Sequence, residues 1–305
     1  MMGTASFGSA PRRALPLLLR TRRSAPGLVH HLLVLMIVVW TLAPVAWLFI
    51  SSISTHNELL SVPVHWIPQR PTFENYAGMF DPATMTGDRF LHSLRNSLLI
   101  ASTVTLFSLV VGTLTAYALA RLRFRGRTAL VLSLLAIRMI PVVALVIHFF
   151  VIVIRLEALV PIFYDRWWTL AILYNAFILG FVIWVMRGYF LTIPVELEEA
   201  ARIDGCTRVG ALVRVVLPLS APGLVATGIL AFLLAWDEFL LALIFSKTTA
   251  AITLPLYITQ LGSQYITAYE SIAAAGVAAA IPPVALALLF QRFIVRGLTS
   301  GGVKG

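Results

Sequence analysis

Long apolar runs separated by short clusters of Arg organise this sequence. About 20 apolar residues are needed to cross a hydrocarbon core of roughly 30 Å, and the pattern predicts six such crossings. The first lies in the uncharged stretch between Arg23 and Glu58, with its apolar heart at residues 32–53. The second falls between Arg95 and Arg121, and the third covers residues 128–154, interrupted by Arg138. The fourth lies between Arg166 and Arg187, and the fifth covers residues 221–245 and contains Asp237 and Glu238. The sixth lies between Glu270 and Arg292. Residues 248–269 also lack charge, but Pro255, Gln260, Gly262, Ser263 and Gln264 make them read as a loop with partial membrane contact.

Charge assigns the sides. Of the 23 Lys and Arg residues, sixteen fall before the first run, between the second and third, between the fourth and fifth, and after the sixth. Only six fall on the other side. Positive charge accumulates in cytoplasmic loops, so both termini are expected in the cytoplasm. The expected fold is an all-α integral membrane protein of six transmembrane helices with a cytoplasmic loop at 188–218. Residues 1–30 and 298–305 read as cytoplasmic tails around a membrane domain at 31–297. The first run is longer than a signal-peptide core and no small-residue cleavage site follows it, so it reads as a retained helix.

Composition narrows the function classes. The chain is 59% hydrophobic and 12% charged, about half the charged share of a soluble domain. Its net charge of +10 does not imply nucleic acid, because the basic residues sit in clusters between apolar runs. The single Cys206 excludes a disulfide framework and a multi-cysteine metal site. Nothing resembles a metal site, a nucleophile–base arrangement or a phosphate loop, so no catalytic residue and no cofactor are expected in this chain.

One polar segment is different in kind. In residues 193–205, Pro194 suits the first turn of a helix, and Glu196, Glu198 and Glu199 sit near its positive end. Gly205 is placed to stop that helix, and Thr207 to cap a second short helix ending before Pro218. Leu197, Ala200, Ala201 and Asp204 share a face at i, i+3, i+4 spacing, where small alanines admit another backbone. Two short helices joined by a Gly turn make a knob for a partner's groove.

Glu199-Ala200-Ala201, three residues, Gly205, nine residues, then Val215-Val216-Leu217-Pro218 resembles the EAA loop of binding-protein-dependent ABC permeases. Val215 stands where that pattern has Ile. The pair Asn96-Ser97, the segments Arg138-Met139-Ile140-Pro141 and Trp236-Asp237-Glu238-Phe239, and the tail 297–305 resemble the sugar-importing, maltose-type branch. Asp237 replaces a common Asn there, and His148 stands where Pro is frequent. The resemblance implies a permease subunit of the bacterial cytoplasmic membrane with no enzyme activity of its own. ATP and Mg would be bound on a separate cytoplasmic ATPase dimer, docked through Glu199, Ala200, Ala201, Asp204, Gly205, Leu217 and Pro218. A second permease chain and an extracytoplasmic solute-binding protein would complete the assembly.

Charged groups inside a span are costly, by roughly 3 kcal/mol or more, and each needs a reason. Arg138 either pairs with Asp237 or Glu238 beside the pathway or faces a separate cavity or partner. Tyr174, Asn175 and Trp236 are candidate sugar contacts, since sugars stack on aromatics and hydrogen-bond amides; helix packing is the alternative for each. His148 is expected to be packed or to face a cavity. A secondary transporter would explain the buried charges but not the EAA spacing, and a polytopic enzyme would need a polar cluster at one membrane face. The solute is expected to be a sugar or oligosaccharide, with a polyol or glycerophosphodiester as the other class.

Overall fold

The computed structural model describes residues 27–63, 65–262 and 268–300. The tail segments 1–26 and 301–305, and Ser263 and Gln264 of the uncharged stretch, lie outside the described residues. The elements are α1 Leu28–Ser52, α2 His56–Leu59, α3 Glu74–Phe80, α4 Met85–Arg121, α5 Arg127–Arg138, α6 Val142–Leu159 and α7 Trp167–Thr192. They continue with α8 Val195–Ile203, α9 Arg208–Ala211, a π-helical turn Leu212–Val216, α10 Leu217–Leu219, α11 Ala221–Trp236, α12 Leu240–Phe245, α13 Leu254–Gln260 and α14 Tyr269–Ser300. The chain forms two compact units, residues 1–46 and 47–305. The first holds most of α1, an apolar helix with Pro44 in its interior.

Among the described residues α1, α4, α6, α7 and α14 are long and apolar enough to cross a membrane. The count becomes six if the bent pair of Arg208–Leu219 and Ala221–Trp236 is one span.

Two of the anticipated spans are not continuous helices. The third run divides at residues 139–141 into α5 and α6. Pro141 adopts an extended ψ of 136° and lacks the N–H that a continuing helix would need. The fifth run divides at 237–239, where α11 ends at Trp236 and α12 begins at Leu240. A break of this kind is tolerated at membrane depth where protein or a polar cavity satisfies the freed backbone. The 248–269 stretch contains α13, whose Leu254, Leu256 and Tyr257 are buried where it packs on α4 and α14.

The core is organised around α4, 37 residues and so roughly 55 Å long. It packs along α7 and against α11, with Ile100, Ala101, Val104 and Ala116 fully buried. At Gly112 a Cβ would lie 2.8 Å from Val182 Cγ1, so only glycine permits this approach of α4 and α7. Helix α4 starts ten residues before Arg95, capped by the Thr84 hydroxyl, which accepts from Gly87 N–H at 3.0 Å. The Asn96-Ser97 pair therefore sits inside the helix. Asn96 Nδ2 donates to the carbonyls of Thr249 and Ile252, and the Ser97 hydroxyl accepts from Leu254 N–H at 2.8 Å. These bonds staple the 249–254 segment to α4.

Candidate functional site

The EAA-type segment folds as its residues direct. Helix α8 ends in a Schellman motif: Cys206 N–H donates to Ala201 C=O at 3.0 Å, and Gly205 N–H to Arg202 C=O at 3.1 Å. Gly205 has φ of +94°, a backbone state that costs an L-residue roughly 1–2 kcal/mol. The Thr207 hydroxyl accepts from Gly210 N–H at 3.0 Å and caps the next helix. That helix does not stop before Pro218. It passes through the π-helical turn, where Leu217 N–H reaches back to Leu212 C=O, and bends by 78° only at Ser220.

The faces of α8 divide sharply. Glu198 and Ala201 point into the protein, whereas Leu197, Glu199, Ala200, Asp204 and Gly205 are exposed, with Ile203 86% exposed. Ala201 thus leaves the face assigned to it with Leu197, Ala200 and Asp204, and Ile203 joins that face instead. Leu217 is half-buried against the core, and Pro218 is exposed.

The inward face is held by charge. The Tyr117 hydroxyl donates to Glu198 Oε1, and Arg121 Nε lies 3.2 Å from Glu198 Oε2. The second contact is an ion pair without the alignment of a good hydrogen bond. Arg121 Nη2 also donates to the Ile193 carbonyl at 2.8 Å, at the corner between α7 and α8. Removing one member of such a buried pair typically costs about 3–5 kcal/mol. Sequence reasoning placed Glu198 only at the positive end of its helix and Arg121 only at the edge of a span, and it passed over Tyr117. The one available signal was the i, i+3 spacing of Glu198 and Ala201.

The candidate pathway residues are partly gathered into one cavity of about 390 Å³. Arg138, Tyr174, Asn175 and Glu238 line it, among apolar side chains of α5, α7, α11 and α12. Arg138 makes no ion pair with Asp237 or Glu238; its guanidinium lies 5.0 Å from the Phe181 ring centroid. That contact is a cation–π attraction.

Glu238 sits in the break after α11, and its carboxylate accepts from Leu241 N–H at 3.0 Å and Ala242 N–H at 3.4 Å. It thereby caps α12, where a negative charge meets unpaired amides. Tyr174 is 1% exposed, and its hydroxyl faces Glu238 without completing a hydrogen bond of ordinary geometry. Asn175 bridges two helices, accepting from the Ser108 hydroxyl of α4 at 2.7 Å and donating to Ala171 C=O at 2.9 Å.

Three candidates lie elsewhere. Asp237 is exposed at the break and does not line the cavity. Trp236 is 3% exposed, stacks on Phe232 at 5.6 Å, and donates its indole N–H to Ala279 C=O at 3.2 Å. His148 is exposed on α6, neither packed nor on the cavity wall. Among the described residues no group of His, Cys, Asp and Glu could hold a metal ion.

Comparison with known proteins places this architecture. Residues 108–300 match the family model described as binding-protein-dependent transport system inner membrane component. The sulfoquinovosyl glycerol transport system permease protein SmoH of Agrobacterium fabrum is 39% identical over 265 residues, 87% of this chain and 89% of that protein. The trehalose transport system permease protein SugB of Mycobacterium tuberculosis is 39% identical over 272 residues, 88% of this chain and 95% of that protein. In solved structures, a chain of a bacterial ABC transporter involved in the import of the acidic polysaccharide alginate shares the fold. Its TM-score is 0.71 at 24% identity, over 87% of this chain and 94% of that one. The match over residues 108–300 spans the helices that hold the cavity and the exposed knob of α8, and this chain belongs to the family of binding-protein-dependent transport system inner membrane components.

Proposed function

We propose that this chain is a permease subunit of an ATP-driven importer, moving a sugar or oligosaccharide across the bacterial cytoplasmic membrane. Support for the solute class comes from relatives named for sulfoquinovosyl glycerol and trehalose transport. The carrying observation is the exposed face of α8, where Leu197, Ala200, Ile203 and Asp204 have no covering element among the described residues. An apolar knob on a short polar segment suits a permanent protein partner. In this reading that partner is the ATPase dimer, which binds ATP and Mg, and Glu199, Gly205, Leu217 and Pro218 belong to its docking site. The α8 side is then cytoplasmic, six crossings put both termini there, and the tails 1–30 and 298–305 flank a membrane domain at 31–297.

A second permease chain closes the pathway against this one, and an extracytoplasmic solute-binding protein delivers the solute. The cavity around Arg138, Tyr174, Asn175 and Glu238 is part of the route, with Trp236 supporting it from behind and Asp237 at its rim. ATP drives the change from inward-open to outward-open by binding one state of the assembly more tightly. The permease responds as a rigid-body two-state switch.

The test is a mild-detergent pull-down of the tagged chain from its native membrane, with mass spectrometry and an ATP hydrolysis assay of the eluate. An ATP-hydrolysing subunit and a second permease, both lost when residues 199–205 are replaced, are expected. Recovery of the chain alone, under conditions that preserve a known ABC complex, would overturn the reading in favour of a secondary transporter.

A further inference from the structure

Helix α8 touches its own chain through very little. Glu198 and Ala201 are its only buried residues, and of these only Glu198 has a polar side chain. Burying a carboxylate is unfavourable unless its oxygens are met. Here both are: one by the Tyr117 hydroxyl, the other by Arg121. Tyr117 and Arg121 stand one turn apart on α4, so both grips fall on a single rigid element. The side chains of Arg121 and Glu198 are 7% and 10% exposed, out of reach of screening by solvent. Arg121 also holds the Ile193 carbonyl, which fixes the angle at which α8 leaves α7.

The far side of this arrangement reaches the cavity. Along the same helix α4, the Ser108 hydroxyl donates to Asn175 in the cavity wall. The Glu198 grips thus give a displacement of α8 a direct route into α4, and along α4 to the wall.

We propose that Tyr117, Arg121 and Glu198 form a clasp that makes α8 and the adjoining end of α4 one moving body, with Glu198 the positioning residue of energy coupling. This rests on the reading that α8 docks on the ATPase. The exposed Glu199 serves contact with that partner; Glu198, beside it in sequence, serves transmission.

The experiment uses the complete importer, with its ATPase, second permease and receptor, in proteoliposomes, and measures solute taken up per ATP hydrolysed. Glu198→Gln should assemble and hydrolyse ATP, yet lose about tenfold in uptake per ATP, within the usual range of coupling effects. Tyr117→Phe removes one hydroxyl and should lose about threefold. Arg125→Gln, which removes an exposed charge on the neighbouring loop, should leave the ratio unchanged. Exchanging the charges, Arg121→Glu with Glu198→Arg, should recover most of the ratio lost in either single variant. If uptake and hydrolysis fall together in Glu198→Gln, Glu198 merely holds the fold and the clasp is refuted. Should that variant fail to insert, Tyr117→Phe decides, and an unchanged ratio there overturns the proposal. A wild-type chain that co-purifies no ATPase would instead sink the docking reading, so the two failures are distinguishable.

Discussion

Helix α8 and the cavity between α5, α7 and α12 distribute their polar groups in opposite ways. On α8 the inward carboxylate is paired with Tyr117 and Arg121, and what faces outward includes the apolar side chains of Ile203 and Leu197. The cavity is lined mostly by apolar side chains, and its polar groups include the Tyr174 hydroxyl, turned to Glu238 without a completed bond, and the Arg138 guanidinium, which has no counter-ion among the described residues. A helix that pairs its inward charge within the chain and exposes apolar side chains is suited to a lasting partner. A cavity that leaves polar groups uncommitted is suited to a polar solute that binds briefly and leaves. The two regions are joined through α4, which carries Tyr117 and Arg121 at one end and Ser108 beside the cavity.

The comparison is broken most directly at the exposed face. Ile203→Glu puts a charge at the centre of the proposed docking surface without touching any buried contact of this chain. Losing an interface anchor typically costs 2 kcal/mol or more, so recovery of the ATPase in a pull-down should fall about 30-fold. Equal recovery would mean that α8 is not a docking surface.

The next effect is at the turn. Gly205→Asp places a side chain at φ of +94° and a carboxylate beside Asp204. The strain, roughly 1–2 kcal/mol, is small enough for the chain to insert normally. Uptake in the assembled importer should nevertheless fall by about tenfold more than ATP hydrolysis, as a coupling effect of 1–3 kcal/mol allows. Unchanged uptake would remove the turn from the mechanism.

Inside the cavity, neutralising Arg138 and Glu238 separately and together sharpens the contrast between paired and unpaired charge. The geometry shows no ion pair, so the double variant should lose clearly more uptake than either single one. A double variant no worse than either single one would reveal a pair that forms in another state of the cycle. Tyr174→Phe should leave the amount of inserted protein unchanged while raising the KM for the solute about threefold, the scale of one neutral hydrogen bond. An unaltered KM would take the hydroxyl out of the solute's path.

The sequence made the membrane class and the knob legible for definite reasons. A hydrocarbon core demands long apolar runs, and nothing else in the chain produces them. Gly205 and Thr207 work through local geometry alone, so their turn and cap could be read without knowing the fold. The helix breaks were harder. Pro141 and the Asp237–Glu238 pair stood in plain view, but a membrane span tolerates a proline or a charge often enough that neither forces a break. Glu198 was the least legible of all. Three glutamates share the start of α8, and only the approach of Tyr117, 81 positions earlier, decides which of them turns inward.

Trp236 tests the comparison with its smallest expected effect, because it lies near the cavity without lining it. Helix α14 contains Pro283, which has no N–H to offer the carbonyl four residues back, that of Ala279. The Trp236 indole supplies the missing donor at 3.2 Å, and its ring stacks on Phe232. The tryptophan thus repairs a gap in a neighbouring helix, where its aromatic face is already occupied and unavailable to a sugar. Trp236→Phe keeps most of the packing and leaves that carbonyl without a donor in an apolar setting, a loss of about 1–3 kcal/mol. The thermal unfolding midpoint of the purified subunit should fall by a few degrees, as about 1 kcal/mol shifts Tm by roughly 2–4 °C for chains of 150–250 residues. The KM for the solute should stay where it is. A raised KM with an unchanged midpoint would mean that the indole leaves Ala279 to meet the solute, and would put Trp236 on the pathway with Tyr174.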